Sequence, residues 1–203
     1  MARRWLAGLA SGFVAFGLVA CGGSGSLDPG GLDGGYVSAS VRSPDGRPSV
    51  FATAVANRSQ TESARLVSVE LINANGLELV EAYTFDMDHQ IPMGGRIPPL
   101  EGDSEPPPGV DFLANWETRV PLAESVIAPD EYRWMVLAVR ALSEDDCVYA
   151  EGFKLTYRQH GRTYRVVSDG APMIYYLDPE TGDDQCDAIA DQIFEKQRKR
   201  RGG

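Results

Sequence analysis

The sequence predicts a mainly β fold, an immunoglobulin-like β-sandwich with one short C-terminal helix. Three observations predict it. Apolar residues alternate with polar ones from Tyr36 onward, turn-forming residues break the pattern at roughly ten-residue intervals, and only the last segment switches to helical spacing. Hydrophobic residues make up 43% of the 203-residue chain and charged ones 24%, so the chain carries enough apolar surface to build a core.

Taken in order, Tyr36 to Val41 alternates and runs into the turn Pro44-Asp45-Gly46. Val50 to Ala56 is an unbroken apolar run with Phe51, Thr53 and Val55 on one face, as a central strand requires. In Leu66 to Ile72, strict alternation places Val67, Val69 and Leu71 inward and Ser68 and Glu70 outward. Asn73-Ala74-Asn75-Gly76 turns the chain into a strand over Leu77 to Phe85. Met87–Asn115, rich in Pro and Gly, is predicted as a surface loop, and Trp116 to Leu122 as a short strand. Tyr132 to Leu142, the most hydrophobic stretch, is predicted to be buried on both faces. Phe153 to Tyr157 alternates, and His160-Gly161 joins it to Thr163 to Val167 through a tight hairpin, since Gly accepts positive φ at no steric cost. Met173 to Leu177 is the last candidate strand. Asp187 to Arg200 is the predicted helix, with Ile189, Ala190, Ile193 and Phe194 on one stripe. Its acidic start and its basic end (Lys196, Arg198, Lys199, Arg200) suit the helix dipole.

The amino terminus has a different character. Met1-Ala2-Arg3-Arg4 is cationic, and Trp5 to Ala20 is uncharged and apolar. That run is shorter than the ~20 apolar residues a spanning helix needs and has the layout of a secretory signal peptide. It closes with Leu18-Val19-Ala20-Cys21, which resembles the lipobox of bacterial lipoproteins. The resemblance implies that the Cys21 sulfur receives a diacylglycerol group and that the leader is cut just before it. Ala20 supplies the small residue and Cys21 the thiol. The partner so implied is membrane lipid, and the address is the extracytoplasmic face of the cell membrane. Gly22-Gly23-Ser24-Gly25-Ser26 and the Gly-, Asp- and Leu-rich stretch to Gly35 read as a flexible spacer. The predicted organisation is therefore a signal peptide over 1–20, a lipidated linker over 21–35, a β-sandwich over 36–186, and a helix with a basic tail over 187–203.

Two cysteines remain. Outside the cytoplasm, Cys147 and Cys186 most simply form a disulfide, tying the loop after the strongest strand to the start of the terminal helix. No Cys-x-x-Cys occurs, so thiol redox catalysis is not expected.

Met87, His89 and Met93 offer two thioethers and an imidazole, a donor set that suits Cu(I). With the lipobox and a β-sandwich, this loosely resembles the periplasmic copper chaperones, which implies soft-metal handling. The later His-x-Met pair of that family is missing, because His160 is followed by Gly161 and Arg162. The same three residues read first as Met packing on a sandwich edge beside a solvated His. The acidic clusters Glu144-Asp145-Asp146 and Asp178 to Asp184 lack the alternating ligands of a calcium loop and read as solvated turns. Asn57-Arg58-Ser59 has the form of a glycosylation acceptor but is read as a strand end. The basic tail from Lys196 could touch anionic headgroups, or simply match the helix dipole.

The chain has two histidines, no Gly-x-Ser-x-Gly and no His-Glu-x-x-His, so an enzyme is disfavoured. A net charge of −10 disfavours nucleic acid, which needs a basic face. The expectation is a non-catalytic binding or interaction module of the bacterial cell envelope, without cofactor or metal, engaging an envelope protein. The alternative is a copper or other soft-metal protein using the Met87-His89-Met93 loop.

Overall fold

A strand that alternates apolar and polar residues buries one face only, so it is stable when that face meets a second layer. The computed structural model describes residues 27–29, 38–41, 47–86, 88, 111–142, 147–168, 173–176 and 184–201, and it meets this need with facing sheets. The strands are β1 (Leu27–Pro29), β2 (Ser38–Val41), β3 (Ser49–Asn57), β4 (Ala64–Ile72), β5 (Leu77–Asp86), β6 (Val120–Pro121), β7 (Val126–Ile127), β8 (Tyr132–Ala141), β9 (Cys147–Ala150), β10 (Gly152–Gln159), β11 (Arg162–Ser168) and β12 (Met173–Tyr176). The helices are α1 (Phe112–Glu117) and α2 (Asp184–Arg201), with a 3-10 turn at Leu122–Glu124.

One sheet runs in the order β1-β3-β8-β5-β6 and the other β11-β10-β4-β7, all antiparallel. A smaller sheet, β2-β12-β9, pairs β2 parallel to β12. The fold is mainly β and sandwich-like. Its main core is built from Phe51 and Val55 of β3, Met135, Leu137 and Val139 of β8, Leu66 and Val69 of β4, and Phe153, Leu155 and Tyr157 of β10. The other face of β8, with Val136 and Ala138, packs in a second cluster with Val50 and Phe85, so this strand is buried on both sides as its composition predicts.

Four departures from the sequence reading have identifiable causes. First, Val67 does not point inward; it is 36% exposed. The register slips opposite Thr156 and Tyr157, where β10 pairs with Ser68 and then Leu66, so Val67 is a bulged residue that interrupts the alternation. Val80, 37% exposed, is displaced in the same way where β5 skips from Leu79 to Glu81 against β8.

Second, Trp116 to Leu122 is not a strand. Trp116 belongs to α1, which Asp111 caps by accepting from the Ala114 N–H at 2.9 Å, and only Val120–Pro121 joins a sheet. α1 also replaces the last part of the loop expected to run to Asn115; residues 87 and 89–110 lie outside the described residues. Third, Cys147 is not in a loop, because it opens β9, which pairs with β12. Fourth, Leu27–Pro29, within the segment read as spacer, pairs with Val55–Asn57 of β3. A sheet edge takes up such a strand through backbone hydrogen bonds and asks little of its side chains. Pro44-Asp45-Gly46, Glu144-Asp145-Asp146 and residues 178–183 fall outside the described residues.

The hairpin between β10 and β11 follows the sequence. His160 and Gly161 sit at φ 52° and 70°, a two-residue turn with both central residues left-handed. A Cβ on Gly161 would meet nothing within 4 Å, so only the backbone conformation resists a side chain there. Gly161→Ala is expected to cost about 1 kcal/mol, a fall in Tm of roughly 2–4 °C by thermal unfolding. An unchanged Tm would mean that the turn relaxes to another type.

Candidate functional site

Cys147 and Cys186 are joined in a disulfide with a Cα–Cα separation of 5.5 Å. The bridge is buried with Ile174 and Ala190, and Ile189, Phe194 and Tyr149 pack around it. The predicted stripe of α2 therefore does face the small sheet. Lys196 of α2 reaches Glu151 at 2.5 Å, and Lys199 pairs with Glu195 one turn earlier at 2.9 Å, so the basic end of the helix is partly committed to internal partners.

Part of the outer face of the first sheet, around Val50, Phe85, Val136 and Ala138, is covered by Trp116 of α1. Trp116 lies on Phe85 and on the edge of Tyr83, with ring centroids 6.0 and 5.3 Å apart. The Arg119 guanidinium stacks 4.7 Å from the Trp116 ring and donates to the Trp116 carbonyl at 3.0 Å. Burial pushes the Tyr83 hydroxyl pKa up; its hydrogen bond to Glu81 adds to the rise and Arg119 opposes it, so the phenol stays neutral at physiological pH. The cluster is a lid over apolar strand residues, and its polar groups are satisfied.

The possible acid–base chemistry is limited. His160 Nδ1 lies 3.7 Å from Glu62 on the surface, and among the described residues no hydroxyl is hydrogen-bonded to the imidazole. Ser59 Oγ, on the same loop as Glu62, accepts from the Thr61 and Glu62 N–H groups instead. The Asn57 amide is likewise engaged: it is 1% exposed and donates to the carbonyls of Glu62, Ile127 and Ala128, so the strand end takes the place of a glycan acceptor. Among the described residues no group of three His, Cys, Asp or Glu side chains gathers as a metal site, and no helix is long and apolar enough to cross a membrane. Cys21, Met87, His89 and Met93 all lie outside the described residues.

One charged surface was not anticipated. The outer face of the second sheet carries Arg65 on β4, Arg158 on β10 and Arg165 on β11, all exposed. Arg65 stands directly opposite Arg158, and Arg165 opposite Thr156, diagonal to Arg158. The strand arginines of the first sheet are paired, Arg133 with Asp86 and Glu131 at 3.1 and 2.8 Å and Arg140 with Glu78 at 3.0 Å. Among the described residues, Arg65, Arg158 and Arg165 have no acidic partner within ion-pair distance; Glu70, the carboxylate on this face, is taken by Lys154 at 2.6 Å. No protein-family model matches the chain, and no curated protein matches it either.

Proposed function

We propose that this chain is a lipid-anchored extracytoplasmic protein whose β domain is a non-catalytic binding or interaction module of the bacterial cell envelope. The observation that carries the reading is Leu18-Val19-Ala20-Cys21 at the end of a cationic, apolar leader. The Cys147–Cys186 bridge supports it, since structural disulfides persist in oxidising compartments outside the cytoplasm. Two or more acyl chains on Cys21 would hold the protein firmly, each buried methylene contributing about 0.8 kcal/mol. The partner is an envelope protein, and Met87–Asn115 is the proposed contact segment, because loops on a rigid scaffold carry recognition. Within the sandwich class we read the fold as immunoglobulin-like, on two antiparallel sheets enclosing one core; its one bridge ties a strand to a helix and does not cross between the sheets.

Membrane fractionation tests the anchor. In membranes washed at high salt, which strips electrostatic binding, Cys21→Ser is expected to move the protein to the soluble fraction, and intact mass of the wild type to show a diacylglycerol adduct with the leader gone. A retained membrane fraction and an unmodified amino terminus would remove the proposal. Cu(I) binding tighter than micromolar, lost in Met87→Ala/Met93→Ala, would replace the interaction module with soft-metal handling.

A further inference from the structure

We propose that the outer face of the β11-β10-β4-β7 sheet is a docking surface for anionic lipid headgroups, and that the domain lies with this sheet against the membrane. The inference deepens the lipid-anchored reading and rests on it for the identity of the occupant.

The first observation is electrostatic. In a chain of net charge −10, Arg65, Arg158 and Arg165 share one face without carboxylate partners among the described residues, while the strand arginines of the opposite sheet are all paired. Arg65 and Arg158 are a directly opposed cross-strand pair of like charge. Such a pair works against the sheet that holds it. Phosphate oxygens brought up to the face remove that repulsion, because a guanidinium presents a planar fork of donors that matches phosphate geometry. Ser68 and Thr163 lie among the arginines, with Thr156 buried between them, and two apolar residues stay exposed on the same strands, Val67 at 36% and Val167 at 51%. Basic and apolar groups side by side on one surface suit the boundary between headgroup and acyl chain.

The second observation is positional and selects a membrane over an acidic protein. Leu27, the first residue of β1, lies six residues after Cys21, and β1 packs beside β11, the strand that carries Arg165. Six peptide units reach at most about 20 Å. An acyl anchor on Cys21 therefore holds lipid within a short distance of the edge of this face. Two signals, the chain-end lipid and a basic face beside it, together give stable attachment where a single weak one gives reversible binding.

The test is vesicle sedimentation with the full-length chain carrying Cys21→Ser, so that no acyl group contributes. Vesicles of phosphatidylcholine alone are compared with vesicles containing about one-third phosphatidylglycerol. Each arginine near an anionic surface contributes about fivefold in affinity. The expected result is preference for the anionic vesicles, weakened by added NaCl and reduced at least tenfold by Arg158→Glu/Arg165→Glu in the same background; with the leader present in both chains, the difference isolates the sheet face. Arg65→Glu guards against misfolding as an explanation, because it creates an opposite-charge pair with Arg158. It is expected to raise Tm by about 2 °C while weakening vesicle binding.

Equal sedimentation with both vesicle types overturns the inference, as does anionic binding that the arginine variants leave unchanged. Binding to a poly-glutamate peptide with no preference between vesicles would assign the face to an acidic protein and also overturn it. The Cys21→Ser background makes these outcomes independent of acylation, so failure here is distinct from failure of the anchor itself.

Discussion

Replacing both Cys147 and Cys186 with Ala is expected to destabilise the protein by about 4 kcal/mol, the chain-entropy contribution of a loop of this length, and to lower Tm by roughly 8–16 °C. The two residues are 39 apart in sequence, so their link removes a large set of unfolded conformations. The local effect is larger than the global one. α2 is held by Ala190 and Ile193, with Ile189 and Phe194 at the margin, and by the ion pair between Lys196 and Glu151, whose lysine end is about half exposed. An ion pair of this kind contributes at most about 1 kcal/mol. With the bridge gone, the helix keeps only a small apolar stripe against β9 and β12. It is therefore expected to detach before the sandwich unfolds, seen as loss of far-UV helical signal and as proteolysis within 187–201 at temperatures where the strands remain protected from hydrogen exchange. A double variant whose Tm stays within about 2 °C of wild type would show that side-chain packing alone holds α2. Dithiothreitol treatment of the wild type reproduces the variant if the buried bridge is accessible to reductant, and its resistance would locate the opening step in unfolding of this cluster.

How much of this was legible in the sequence depends on the range of the interaction responsible. β8 could be read because seven of its ten residues are apolar, and a strand of that composition is stable only between two layers. The His160-Gly161 turn could be read because a two-residue hairpin demands left-handed residues and Gly supplies one. The pairing of Cys147 with Cys186 followed from elimination once Cys21 was set aside. Val67 and Val80 could not be placed, because a bulge is a property of two strands in register, and alternation within one strand carries no trace of its partner. Trp116 was misread for a related reason. Its segment holds apolar residues at too few positions to distinguish periods of two and 3.6, and what settles it is the Asp111 cap together with the apolar face of β3, β8 and β5 that the indole covers. The arginine face illustrates the same limit. Arg158 and Arg165 sit on recognisably alternating strands, yet their proximity to Arg65 depends on β4 lying beside β10, across more than ninety residues of chain.

Asn57→Ala is expected to cost about 3 kcal/mol, the penalty for leaving one buried and two part-buried carbonyls without their donor. The position looks unremarkable in sequence, a polar residue at a strand end, but it gathers three separate segments. Its amide donates at 2.8 Å to the Glu62 carbonyl and at 3.0 Å to each of the Ile127 and Ala128 carbonyls, while its oxygen accepts from Ser59 N–H at 3.1 Å. Gln159, 4% exposed, donates to the same Asn57 oxygen at 3.3 Å and to the Glu62 carbonyl at 3.0 Å. Ile127 is fully buried, so truncation does not let water take over its lost bond, whereas the Glu62 and Ala128 carbonyls lie nearer the surface. Asn57→Asp keeps the shape but replaces the NH2 group and its two N–H donors with a carboxylate oxygen aimed at carbonyls, so it should cost at least as much as Asn57→Ala. Gln159→Ala should cost less, about 1–2 kcal/mol, since Asn57 still serves the Glu62 carbonyl. The two losses share an acceptor and are therefore expected to be non-additive, with a coupling of about 1 kcal/mol in a double-mutant cycle read by urea unfolding. Strict additivity would mean that the two amides act independently. The loop from Arg58 to Ser63 would then be held by its own turn hydrogen bonds, without the buried network.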